Sequence, residues 1–156
     1  MVDDLTKFDS YFQKAVIPLR IACTTKSGWP MAVSLWYQFK NGNIMCATQK
    51  SSRIVAYLQS NNRCAFEIAA DQPPYCGVRG QALASIDDQI GGEVLEQLLH
   101  RYVGGTESDF AKKLLAKREN EVAIIFKPIN YFTWDFSERM GSISQKMLDM
   151  TTKFCP

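Results

Sequence analysis

The chain has 156 residues, of which 46% are hydrophobic and 22% charged, with 18 Lys plus Arg against 16 Asp plus Glu and a net charge of +2. These values suit one globular domain with a real core and exclude disordered, collagen-like and coiled-coil classes. They also leave too little positive charge for a protein that holds nucleic acid mainly through electrostatics.

From Asp3 to Lys14, Leu5, Phe8, Tyr11 and Phe12 recur at spacings of three and four, with Asp3 or Asp4 as a cap, which predicts a short amphipathic helix within residues 1–16. After Pro18 the period changes to two. Leu19, Ile21 and Cys23 alternate, Lys26-Ser27-Gly28 forms a turn, and a β-rich run extends from Met31 to Phe39. Asn41-Gly42 is a strong hairpin signal leading into a strand over Ile44–Thr48. Ser51 or Ser52 caps a helix reaching Leu58, Asn61-Asn62 ends it, and Arg63–Ala69 reads as a strand.

Beyond the loop Asp71–Pro74, a strand is predicted from Tyr75 to Ser85, with Gly77 and Gly80 marking a bulge or a close backbone approach. The set Ile86, Ile90, Val94, Leu95, Leu98, Leu99 and Tyr102 has helical spacing and stops at Gly104-Gly105; a second helix covers about Glu107 to Arg118. Val122–Phe126 and Tyr131–Phe136 are strands separated by Pro128, and a polar tail, 137–156, follows with weak helical periodicity. The pattern predicts an α+β fold in a single domain, 1–156: a small antiparallel barrel with flanking helices.

Five cysteines, Cys23, Cys46, Cys64, Cys76 and Cys155, form an odd set with no C-x-x-C pair, so neither a disulfide framework nor a zinc site is indicated and reduced thiols are expected. The N-terminal residues lack an apolar run of signal-peptide length, and no stretch of eighteen apolar residues occurs. A cytoplasmic protein with no membrane or nucleic-acid partner is the expectation. His100 is the single histidine, on the polar side of a predicted helix, so no Ser-His-Asp or Cys-His arrangement is suggested. Lys112, Lys113, Lys117 and Arg118 read as a solvated face.

The turn Lys50-Ser51-Ser52-Arg53 places two cations and two hydroxyls beside the free N–H groups of a helix start, where the dipole is positive. It can be a dianion site, or simply a solvated basic turn with a serine cap.

Taken in order, SGWPMAVSLWYQF, the hairpin at NGN, CATQKSSRIVAYLQSNNRCAFEI and KPINYFTWDFS resemble the FMN-binding split barrels related to pyridoxamine 5'-phosphate oxidase, over roughly Leu19 to Phe136. The resemblance implies a homodimer with FMN at the subunit interface. Val33, Ser34, Leu35 and Trp36 fall on a strand that lies along the flavin, Ala47 and Thr48 on the end of the next strand, and Lys50, Ser51, Ser52 and Arg53 on the phosphate-gripping turn. Trp134 falls where a tryptophan approaches the flavin held by the other subunit. Where the family often has Lys after Arg, this chain has Ile54, and Lys50 can take its place. Relatives using deazaflavin or haem make these the alternative cofactors, with a carrier or sensor as the alternative to a flavin-dependent oxidoreductase acting on a small substrate. No residue is singled out as catalytic, and no metal site is expected.

Overall fold

The computed structural model describes residues 8–140. Its elements are α1 (Asp9–Lys14), β1 (Leu19–Thr24), β2 (Pro30–Leu35), β3 (Gln38–Lys40), β4 (Asn43–Gln49), α2 (Arg53–Ser60), β5 (Arg63–Ala69), β6 (Cys76–Asp87), α3 (Gly91–Val103), α4 (Asp109–Leu115), a 3-10 turn (Arg118–Asn120) and β7 (Glu121–Asp135). The strands pair antiparallel in the order β2-β1-β5-β6-β7-β4-β3.

That order forces a barrel. β2 and β3 are the two sheet edges, yet only Trp36 and Tyr37 connect them. A flat sheet of this width would hold its edges roughly 29 Å apart at about 4.8 Å per strand spacing. Three extended residue steps span only about 10–11 Å. The sheet therefore curls until its edges approach, and the barrel stays split between them. Leu19, Ile21, Ile44, Phe66, Val78 and Phe126 are among the side chains buried inside.

The helices cover what the strands leave open. Tyr11 and Phe12 of α1 are buried, and Phe12 stacks on Phe39 with ring centroids 4.3 Å apart. α2 buries Ile54, Val55 and Leu58. α3 buries Val94 and Leu98 against Ala123, with Met45 and Ala47 packed alongside, on the outer side of β4 and β7. Among the described residues no helix is long and apolar enough to cross a membrane.

Several boundaries depart from the sequence reading. The run Met31–Phe39 is two strands, because the chain leaves the ladder at Tyr37. That ring is fully buried, its hydroxyl donates to the Phe12 and Ala15 carbonyls at 3.1 and 3.0 Å, and its N–H donates to the Tyr102 hydroxyl. Ile86 belongs to β6 instead of a helix. Asp87 Oδ1 accepts from the N–H groups of Gln89 and Ile90, and α3 begins only at Gly91, where a Cβ would stand 2.2 Å from the Glu121 carbonyl oxygen. The second helix ends at Leu115, short of Arg118.

Val122–Phe126 and Tyr131–Phe136 are joined in one strand, β7, which runs through Pro128. The register slips opposite Gln81 and Ala82, which face Asn130 and Pro128, so Ile129 has no partner. Before this bulge Val122, Ile124 and Phe126 point inward; after it Tyr131 does. Of the N-terminal helix, Asp3, Asp4 and Leu5 lie outside the described residues, as does the tail from Gly141. Cys23, Cys46 and Cys64 are free and buried, whereas Cys76 is disulfide-bonded, contrary to the all-thiol expectation.

Candidate functional site

The turn between β4 and α2 is built by local chemistry. β4 ends against β7, with Thr48 opposite Val122 and Gln49 opposite Glu121; Lys50 N–H then donates to the Asn120 carbonyl at 2.8 Å, and Ser52 N–H to that of Gln49 at 2.9 Å. Ser52 adopts extended backbone (φ −67°, ψ 145°) at the N-cap of α2, yet its side chain accepts no cap hydrogen bond. Its Oγ is covered and has no partner among the described residues. The first N–H groups of α2 are therefore left without a Ser52 side-chain cap, an arrangement suited to an anion.

Lys50 and Arg53 flank this point. Lys50 Nζ pairs with Asp88 Oδ2 at 2.6 Å, but both side chains are about half exposed or more, and such a pair is worth about 0–1 kcal/mol, little to give up for a phosphate. Arg53 is exposed and makes no ion pair among the described residues. Ser51 is exposed beside it. Ile54, where the family pattern often has a cation, is 5% exposed and belongs to the barrel core. The donor set of this turn fits a phosphate. Behind it, Gln49 Nε2 donates to Glu121 Oε1, and burial raises the Glu121 carboxyl above its ordinary value while that hydrogen bond lowers it.

The other predicted residues lie elsewhere. Val33 and Leu35 pack against the barrel core and Ser34 is exposed on β2. Trp36 and Ala47 meet in the clusters beneath α3 and α4, where the indole stacks on Tyr102. Trp134 lies far along β7: thirteen residues beyond Glu121, roughly 40 Å of strand at ~3.3 Å per residue. Arg53, at the start of α2, and Trp134, near the far end of β7, thus lie on different parts of the barrel.

Trp134 instead belongs to the outer face of the sheet. Register sets out a row across five strands there: Ser34, Arg20, Glu67, Arg79 and Phe132. The neighbouring row begins Ala32, Ala22, Ala65. Small side chains floor a groove of about 640 Å³, and Arg20, Arg79 and Phe132 wall it. The Arg79 guanidinium carbon stands 5.3 Å from the ring centroids of both Phe132 and Trp134, a cation–π contact. Arg20 pairs with Asp71. Sequence reasoning missed Arg79 and Phe132; the signal was Gly77 and Gly80, since a Cβ on Gly77 would lie 2.8 Å from Trp134 Cζ2. His100 is exposed on α3, and Lys112 and Arg118 make only exposed ion pairs. Among the described residues no group of three His, Cys, Asp or Glu is placed to hold a metal.

No family model matches the chain, and neither does any curated protein. Solved structures do. An F420 reductase is 16% identical over 78% of this chain and 93% of its own, with a TM-score of 0.66. A candidate pyridoxamine 5'-phosphate oxidase from Listeria innocua is 15% identical over 82% and 95%, with a TM-score of 0.62. HutZ, the heme storage protein of Vibrio cholerae, is 14% identical over 85% and 94%, with a TM-score of 0.61. With its seven-stranded curled sheet and flanking helices, the chain has the split-barrel fold of the pyridoxamine 5'-phosphate oxidase-like proteins.

Proposed function

We propose that the chain binds FMN as a homodimer and works in the cytoplasm as a flavin-dependent oxidoreductase on a small substrate. The observation that carries this reading is the covered Ser52 Oγ at the start of α2, without a partner among the described residues, set between Lys50 and Arg53, which makes no ion pair among them. A phosphate at this point would take hydrogen bonds from Ser51, Ser52 and Arg53, with Lys50 exchanging Asp88 for it. Charge-assisted hydrogen bonds contribute on the order of 1.5–3 kcal/mol each, so three of them supply a large part of the roughly 8 kcal/mol of a micromolar complex.

The homodimer is supported by distance and by surface. Arg53 stands at the start of α2 and Trp134 near the far end of β7, and the same two residues from two copies can meet at an interface. The outer sheet face also leaves Phe132 exposed, at 57%, and a second copy is one way to cover it. The flavin would supply the redox chemistry when bound. The chain's own residues grip the phosphate and, through Trp134 and the outer row of the partner, flank the ring.

A deazaflavin-dependent reductase or a haem or flavin carrier is the second reading, favoured by the F420 reductase and the heme storage protein among the fold's neighbours. The visible absorption spectrum of the purified protein separates flavin, deazaflavin and haem. Binding then tests the site: Arg53→Ala is expected to weaken FMN about tenfold or more, a loss of about 1.4 kcal/mol. A change within about twofold overturns the phosphate assignment.

A further inference from the structure

Cys23 and Cys64 are direct register partners across β1 and β5. Both are free and buried. Their side chains share the barrel interior with Ile21 and Phe66, their neighbours two positions away. Cys64 Sγ–H donates to the Ala82 carbonyl at 3.5 Å.

The kind of pairing follows from the next strand. Ala84 N–H donates to the Asn62 carbonyl at 2.8 Å, one step beyond the Arg63–Leu83 pair, so Asn62 and Ala84 face each other as a hydrogen-bonded pair. Such pairs alternate along an antiparallel ladder, which makes Cys64 and Ala82 another one. The backbone N–H and C=O of Cys64 then both point toward β6 and away from β1. Cys23 and Cys64 are therefore a non-hydrogen-bonded pair, the closer kind, with Cα atoms about 4.5 Å apart. A disulfide accepts Cα separations of about 4.4–6.8 Å.

We propose that Cys23 and Cys64 are an oxidisable dithiol that closes to a cross-strand disulfide on exposure to a peroxide. One thiol gives up its proton and its sulfur attacks a peroxide oxygen; the O–O bond breaks, leaving a sulfenic acid and, with that proton, one water. The second sulfur attacks the sulfenic sulfur, the S–S bond forms, and the S–O bond breaks. The hydroxyl leaves as a second water with the second thiol's proton. Two thiols are oxidised by two electrons and the peroxide is reduced by two. Burial raises the thiols, Cys64 up to about 12 and Cys46 well above its ordinary value, so the reaction is slow and proceeds through local opening. Cys46 lies on β4, opposite Ile124 and separated from β5 by two strands in the sheet order, although both side chains belong to the barrel core. The inference rests on strand register and is independent of the flavin reading.

The test exposes the full chain to hydrogen peroxide, alkylates the remaining thiols after unfolding, and maps linked peptides by mass spectrometry. The expected product joins the Cys23 and Cys64 peptides, in the original chain and equally in Cys46→Ala, and is absent from Cys64→Ser. A Cys46–Cys64 link, oxygenated but unlinked Cys23 or Cys64, or full alkylation of all three thiols after prolonged exposure would each overturn the proposal.

Discussion

The indole of Trp36 lies flat on the ring of Tyr102, with centroids 5.0 Å apart and planes 8° from parallel, and Phe110 meets its edge. Trp36 is one of the two residues carrying the chain from one sheet edge to the other. The Tyr102 hydroxyl accepts from Tyr37 N–H at 3.3 Å and donates to the Ile17 carbonyl at 2.8 Å. α3 thus grips the crossover by ring contact and hydrogen bond together. Trp36→Ala is expected to cost about 2–3 kcal/mol in urea unfolding, below the ~3–5 of a fully buried tryptophan because this one is half-buried. A loss under about 0.5 kcal/mol, typical of an ordinary surface position, would show that the crossover does not depend on the stack.

Subunit complementation tests the proposed sharing of a site between two copies. Arg53→Ala and Trp134→Ala homodimers are each expected to bind FMN weakly. After subunit exchange in a 1:1 mixture, half of the dimers carry one intact site of two, so about a quarter of all sites should recover full affinity in a flavin-fluorescence titration. No recovery after verified exchange would mean that the two residues do not serve one ligand.

Glu121 should impose a pH dependence on stability. Burial raises its pKa above the usual 4.5, with the Gln49 hydrogen bond opposing. Between the unfolded value and the raised folded one, the native state keeps a proton that the unfolded state has released, so stability falls as pH rises through that window. One proton sets the ceiling, about 1.4 kcal/mol per pH unit. Urea unfolding from below pH 4.5 to neutrality should show this slope, and Glu121→Gln should flatten it. Equal slopes in both proteins would rule Glu121 out as the source.

Two glycines separate crowding from backbone conformation. A Cβ on Gly80 would lie 2.1 Å from the Asn130 carbonyl oxygen and 2.9 Å from Phe66 Cε1. Gly80→Ala should therefore cost about 3 kcal/mol or more, since backbone on the bulged strand must move. Gly28 has φ +85° and nothing within 4 Å of a Cβ, so Gly28→Ala should lose only about 1–2 kcal/mol for its left-handed conformation. Similar losses at the two sites, measured by denaturant unfolding, would refute the crowding argument.

What the sequence disclosed was local. Asn41-Gly42 makes its turn with both residues at positive φ, Ser52 stands at a helix start, and Gly104 ends α3 at φ +82°. The turn from Lys50 to Arg53 was legible for the same reason, as four adjacent residues form it. The break at Tyr37 was not, since its cause is a hydroxyl reaching Phe12 and Ala15, and the residues around it are all good strand formers. Nor was the outer row from Ser34 to Phe132, which exists only once five strands have settled in register. Pro128 was read as an interruption because the sequence does not reveal that β7 carries an extra, unpartnered residue, Ile129, beside it.

A strand has a reading frame of two, and the bulge at Ile129 resets it. Everything N-terminal to that residue is spelled inward on even numbers, and everything C-terminal to it on odd ones. Deleting Ile129 would turn Phe132 and Trp134 toward the barrel interior, crowd them against Val78, and send Tyr131 and Thr133 out beside Arg79. No single substitution within the aromatic wall does as much. The position on which that wall most depends is thus an exposed isoleucine without a strand partner, and a one-codon deletion there would erase the wall while leaving each of its residues in the gene.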